Sequence, residues 1–98
     1  MLHKVFSKTG RACRVTFILP SEAEASTASI CGEFNDWSPD AHPLKRRKDG
    51  SLACMMWLET GRQYRFRYWL NNERWENDWA ADAYLPNPFG SEDSVLAI

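Results

Sequence analysis

Carboxylates and tryptophans are the side chains of this chain best suited to chemistry. Glycoside hydrolysis needs two carboxyl groups flanking one bond, and Glu33, Asp36, Glu73, Glu76 and Asp78 offer candidates for such a pair. A hydrolase also needs a cleft around the scissile bond, and 98 residues leave little material to build one. No Ser/His/Asp or Cys/His set stands in a recognisable nucleophile pattern, and no phosphate-binding glycine loop is present. The expectation is a non-enzymatic chain with no catalytic residue. The tryptophans point elsewhere. Trp37, Trp57, Trp69, Trp75 and Trp79 crowd between positions 37 and 79. Two of them stand in turn-like surroundings, Asn35-Asp36-Trp37-Ser38-Pro39 and Asn71-Asn72-Glu73-Arg74-Trp75. A ring in polar company presents an apolar face outward, and a sugar carries one C–H-rich face that such a ring can grip. Carbohydrate binding is the first expectation.

The rest of the composition excludes more than it suggests. The cysteines, Cys13, Cys31 and Cys54, contain no CxxC pair, so zinc and redox motifs lack support. Each is expected to pack as a small hydrophobe. His3 and His42 are far apart and belong to no ligand pattern, so no metal and no cofactor is expected. The formal net charge of −1 argues against a nucleic-acid or membrane-surface partner. The basic run Lys45 to Lys48 leads straight into Asp49-Gly50 and reads as the solvated approach to a hairpin. Met1 to Phe6 has no apolar signal-peptide core, and no run nears the ~18 apolar residues of a membrane span. The default location is the reducing cytoplasm. A length of 98 residues implies one domain, 1–98, and 44% hydrophobic with 26% charged residues is ordinary for a soluble fold.

The elements that must position these residues read as strands. No amphipathic helix is evident, and Ser21 to Ala25 is at most a helical turn. Cys13, Val15, Phe17 and Leu19 alternate along a first strand that Pro20 ends. A second runs from about Thr27 to Phe34, where Gly32 lets another group approach closely. A short strand is expected near Pro43 to Arg47. Leu52 to Leu58 and Tyr64 to Leu70 read as a hairpin whose loop, Glu59 to Gln63, contains Gly61. One stripe of that hairpin is Leu52, Cys54, Met56 and Leu58 facing Tyr64, Phe66, Tyr68 and Leu70. Its other face would pair Trp57 with Arg65, Met55 with Arg67 and Ala53 with Trp69. A cation–π contact of about 0.5–1 kcal/mol between Trp57 and Arg65 is the structural alternative to a ligand role for Arg65. Asn71-Asn72 is a turn, Pro86 to Gly90 an irregular loop, and Ser94 to Ile98 a closing strand.

Several of these segments, in this order and spacing, resemble a known family. They are Cys31-Gly32-Glu33-Phe34-Asn35-Asp36-Trp37, Asp49-Gly50-Ser51-Leu52, the run Gly61 to Tyr68, Asn72-Glu73-Arg74-Trp75, Asn87-Pro88-Phe89-Gly90 and Ser94-Val95-Leu96. Over about residues 13 to 98 the chain resembles the isoamylase N-terminal early-set domains of carbohydrate-binding module family 48. That family includes the glycogen-binding domain of the AMP-activated kinase β subunit, and the chain looks like its small stand-alone bacterial members. The resemblance implies an all-β, immunoglobulin-like sandwich of about seven to eight strands that binds α-1,4-glucan. It places Trp37 and Trp75 as stacking rings and Arg65 where a lysine usually hydrogen-bonds the sugar. Phe89, Ser91 and Asp93 match the apolar, hydroxyl and Asn positions of the loop before the last strand. Two departures follow: Arg65 has a rigid fork in place of an ammonium, and Asp93 lacks the amide donor. The family's enzymes carry this module beside a separate catalytic barrel, so no catalytic role is expected of this domain.

A different function class competes with sugar binding. Trp57, Trp69, Arg67 and Met55, read as one exposed sheet face, would suit a protein partner or self-association, because Trp, Met and Arg are enriched at interfaces.

Overall fold

The computed structural model describes residues 1–98. Nine strands pair antiparallel in two sheets: β1 (Leu2–Phe6), β2 (Ala12–Leu19), β3 (Ala28–Gly32), β4 (Lys45–Arg46), β5 (Leu52–Glu59), β6 (Gln63–Leu70), β7 (Arg74–Glu76), β8 (Ala83–Pro86) and β9 (Glu92–Ala97). The first sheet has the order β1-β2-β5-β4 and the second β3-β6-β9-β8, with β7 also on β6. The only helical turns are 3-10, at Ser21–Ala23 and Glu33–Asn35. This is the all-β, immunoglobulin-like sandwich that the resemblance implies, with one strand more than the upper end of seven to eight. β1 adds to the edge of β2, and β8 is an edge strand, the one place where Pro86 is tolerated in a ladder.

The core forms where the two inner faces meet. Cys13, Val15, Phe17 and Leu19 of β2 and Leu52 and Met56 of β5 pack against Ile30 of β3, Leu96 of β9 and the β6 stripe Tyr64, Phe66, Tyr68 and Leu70. The Phe17 and Phe66 rings meet edge-on at 5.2 Å across the sandwich. Alternation therefore assigns the inner and outer faces of these strands correctly. Tyr68 brings a hydroxyl into this core, and it donates to the carboxylate of the buried Asp78 at 2.7 Å.

The expected β5–β6 hairpin does not form. β5 pairs with β2 and β4, while β6 pairs with β3, β7 and β9. Two apolar stripes joined by a short link can lie side by side or face to face, and here they face each other across the core. The link climbs from one sheet to the other, pinned by Thr60 N–H donating to Arg11 O (3.2 Å) and Gly61 N–H to Ile98 O (3.0 Å). The cross-strand partner of Trp57 is therefore Arg14, of Met55 Thr16, and of Ala53 Ile18. The expected Trp57–Arg65 contact is absent. Met55 and Trp57 lie on the outer face of the first sheet, and Arg67 and Trp69 on that of the second. The interface patch expected from Met55, Trp57, Arg67 and Trp69 is thus divided between opposite sides of the molecule.

Candidate functional site

The outer face of the second sheet carries an open groove of about 650 Å³. Its floor is β6, whose outward residues Arg65 and Arg67 both line it. One wall is the turn after β3, carrying Glu33 and Trp37. Another is the end of β8 with the β8–β9 loop, carrying Pro86 to Phe89, with Asp93 at its base. Trp75 of β7 closes a third side.

The Trp37 wall is held by short-range bonds. Gly32 N–H donates to Asn35 Oδ1 (3.0 Å), and Asn35 Nδ2 donates to Ile30 O (2.9 Å) and His42 Nδ1 (2.9 Å). The chain then turns through two left-handed residues, Asp36 (φ 53°) and Trp37 (φ 59°), and Trp37 N–H donates to Gly32 O at 2.9 Å. Asp adopts this region readily, whereas a bulky aromatic in it is an outlier. Gly32 permits the whole arrangement, because a Cβ there would lie 2.6 Å from Arg65 O. Glu33 fills the gap where β3 leaves β6, its Oε1 accepting the Arg65 backbone N–H at 2.7 Å. Below the turn, Cys31 Sγ–H donates to Ser38 O at 3.4 Å. Burial, with Asp40 nearby, pushes that thiol up to about 11, so it is a packed spacer and no nucleophile.

The two arginines are restrained in different ways. Arg65 Nη1 donates to Pro86 O (3.0 Å) and to Asp93 Oδ2 (3.3 Å). Asp93 is only 7% exposed, and its Oδ1 accepts from Asn87 Nδ2 at 3.0 Å. Arg67 Nη1 donates to Ser91 Oγ at 3.4 Å, and its guanidinium stands 5.7 Å from the Trp75 ring centroid. Its Nε is buried without a partner in the protein.

Trp75 is set by the Asn71-Asn72 turn. Both residues are left-handed (φ 54° and 56°), and Glu73 N–H closes the turn on Leu70 O at 3.0 Å. This puts Trp75 across from Trp69, with ring centroids 4.6 Å apart. Trp75 remains 42% exposed. On the far wall, Asn87 Oδ1 accepts from the backbone N–H groups of Phe89 (3.0 Å) and Ser91 (3.2 Å). Phe89 rides at the tip of that loop, 89% exposed.

Carbohydrate-binding module 48, the isoamylase N-terminal domain, matches residues 4–85. The chain belongs to this family. It is also similar to the 1,4-alpha-glucan branching enzyme GlgB of Aquifex aeolicus (strain VF5), with 34% identity over 68 residues, 66% of this chain and 10% of the enzyme. The chain therefore spans about a tenth of that relative's length. The family match includes Trp37, Arg65 and Trp75 and stops before the Asn87 to Asp93 wall of the groove.

In this module 48 domain the groove gathers Trp37, Arg65, Trp75, Phe89 and Asp93. Ser91 stands one bond behind them, between Asn87 and Arg67. Arg67, expected in an interface, is a groove residue instead, and Trp69 backs Trp75. Met55 and Trp57 lie on the other sheet, and Trp79 is exposed outside the groove. Glu33 and Asn87 were not expected to shape the site. Asn87 stood in one of the segments that carry the family resemblance, but between two prolines it read as loop structure. Asp78 is consumed by Tyr68 and by the Ala80 N–H, and Glu33 by the Arg65 amide. No group of three or more His, Cys, Asp or Glu side chains converges to hold a metal ion. What the groove offers is flat apolar rings beside fixed N–H donors. That is a surface for a neutral, hydroxyl-rich, partly apolar ligand.

Proposed function

We propose that this domain binds α-1,4-linked glucan of the glycogen or starch type, without catalysis, in the groove between Trp37, Trp75 and Phe89. The observation that carries the proposal is that Trp37 and Trp75, from separate turns, line one groove with Arg65. Glucose rings stack on the two indoles, and Arg65 and Arg67 donate to their hydroxyls. The family match and the 1,4-alpha-glucan in the name of the Aquifex enzyme support this ligand class. Two stacked sugars and a few hydrogen bonds, set against the cost of association, place affinity in the micromolar to millimolar range, roughly −4 to −8 kcal/mol. We place the protein in the reducing cytoplasm, the setting that its free thiols suit.

The test is a titration of tryptophan fluorescence with maltoheptaose and β-cyclodextrin, with a cellooligosaccharide as control. A saturable change with the α-glucans alone, lost in Trp37→Ala and in Trp75→Ala, is expected. No change up to millimolar sugar in the folded protein would refute the proposal. A second reading, a protein contact, is favoured by Val5, Met55 and Trp57, which are exposed on the outer face of the opposite sheet. That face would let the domain hold a partner while docked on the polymer. A pull-down insensitive to Trp57→Ala would exclude it.

A further inference from the structure

We infer that a second, smaller cleft beyond Trp69 takes further sugar units of the same α-glucan chain; this rests on the glucan proposal above. The cleft holds about 280 Å³ and is lined by Thr27, Ser29, Arg46, Trp69 and Asn72 among others. Only an aromatic ridge separates it from the groove. Trp75 lines the groove, Trp69 lines the cleft, and their rings stand 4.6 Å apart. A chain stacked on Trp75 that runs on across the ridge therefore meets the Trp69 ring and then the cleft.

The cleft is built of fixed backbone and free side-chain groups. Asn71 Oδ1 accepts the backbone N–H groups of Ser26 (2.8 Å) and Thr27 (3.2 Å), tying the β6–β7 turn to the segment before β3. Arg46 clamps the same segment from the other side, with Nη2 donating to Ala25 O at 2.9 Å and Nη1 to Gly50 O at 2.8 Å. Between these clamps, the hydroxyls of Thr27 and Ser29 and the amide of Asn72 make no hydrogen bond to the chain. None of them is buried. Ser29 is the direct cross-strand neighbour of Trp69 on the outer face. The cleft thus sets an indole and the apolar edge of Pro43, Leu44 and Leu52 beside uncommitted polar groups. Its one charge, on Arg46, is already committed to carbonyl oxygens. That favours a neutral polyhydroxyl over a phosphate or an acidic peptide.

The test uses maltotriose and maltoheptaose on the intact domain and on the variant Thr27→Val, Ser29→Val. Valine keeps the shape of threonine at position 27, just before β3, and suits the strand position of Ser29. In the unaltered domain, calorimetry should show maltoheptaose binding roughly three- to tenfold tighter than maltotriose, the scale of one or two net hydrogen bonds. The variant should bind maltotriose as before and lose that gain. Equal maltoheptaose affinities in variant and parent would overturn this inference alone. So would the absence of a length-dependent gain in the parent. Absence of any saturable binding would overturn the groove proposal and this one with it. An amide-shift titration of the unaltered domain provides a check that needs no variant. Ser29 and Asn72 should move with maltoheptaose and stay still with maltotriose, and stillness with both would refute the cleft.

Discussion

Gly32→Ala isolates one contact on which both the fold and the groove depend. Gly32 is extended (φ −169°, ψ −173°), a conformation open to any residue, so the effect of the substitution is purely steric. The new Cβ would lie 2.6 Å from Arg65 O, 2.9 Å from Phe66 Cβ and 2.9 Å from Phe34 Cζ. The first two atoms belong to the central strand β6 and cannot yield without moving it. Overpacking of this kind costs about 1–3 kcal/mol. For a domain of this size each kcal/mol lowers Tm by roughly 4–8 °C, so a fall of roughly 5–20 °C is expected. The displacement also reaches the site, because Gly32 O accepts the Trp37 N–H and Gly32 N–H holds Asn35. Thermal unfolding followed by far-ultraviolet circular dichroism measures the first effect, and maltoheptaose titration the second. Gly61→Ala is the matched control. Nothing lies within 4 Å of its Cβ, and its φ of +80° leaves only a backbone penalty of about 1–2 kcal/mol. A Gly32→Ala protein with unchanged Tm would mean that β3 and β6 do not approach as described. The geometry of the Trp37 wall would then be wrong as well.

Other substitutions separate folding from binding. Phe89→Ala removes a side chain that is almost fully exposed, so stability should change by less than about 0.5 kcal/mol, while maltoheptaose affinity falls; unchanged affinity would remove Phe89 from the site. Asp78→Ala strips the partner from the Tyr68 hydroxyl in the core, and from the Met1 ammonium and the Ala80 N–H, and should cost about 2–3 kcal/mol in urea unfolding. Adding Tyr68→Phe should recover part of that loss, and no recovery would refute the coupling. Alkaline pH should also weaken the fold. Cys31 is raised from 9.0 to about 11 by burial, so the folded domain keeps a proton that the unfolded chain releases. The contribution is complete below about pH 9 and is lost as pH rises to about 11. Urea midpoints should decline across that window, and Cys31→Ala should flatten the decline; an identical decline in the variant would exclude Cys31 as its source.

Strand faces were legible in the sequence because a period of two is a local property. Val15, Phe17, Phe66 and Tyr68 announce their inward direction through their own neighbours along the chain. The identity of the facing strand is not local. The stripes of β5 and β6 satisfy a hairpin and a sandwich equally well, and only the demand of a whole core decides between them. That ambiguity misplaced Trp57 beside Arg65 and assembled an interface from two opposite faces. β1 was hidden by Lys4, which interrupts its apolar pattern. Its ammonium is satisfied by Asp82 at 2.7 Å and by Ala97 O at 3.1 Å, residues remote in sequence. β8 was hidden by Pro86, whose carbonyl then serves as an acceptor for Arg65. The groove residues Trp37 and Trp75 were suggested by their polar turn surroundings, and Arg65 by the family resemblance alone. The supporting role of Asn87 was not, because it lies in bonds made by both ends of one amide.

The backbone at Trp37 ties these observations to function. Holding a bulky residue in the left-handed region costs about 1–2 kcal/mol. The fold sustains it through Asn35, whose amide bonds Ile30, Gly32 and His42 at once. A tryptophan recruited only to fill the core could sit in a relaxed strand, as Trp69 does. The strained turn instead sets the indole at the rim of the groove. Arg65 shows the same economy: Nη1 alone is spent on Pro86 and Asp93, which fixes the plane of the guanidinium and leaves Nε and Nη2 without a protein acceptor. A ring and a donor held rigid before the ligand arrives lose little conformational entropy when it binds. For a ligand as weakly held as a few sugar rings, that saving decides whether binding is measurable at all. Strain at Trp37 and clamping at Arg65 are therefore the features on which the proposed glucan site depends. A wild-type-like affinity after loosening either one would place the binding energy somewhere other than this groove.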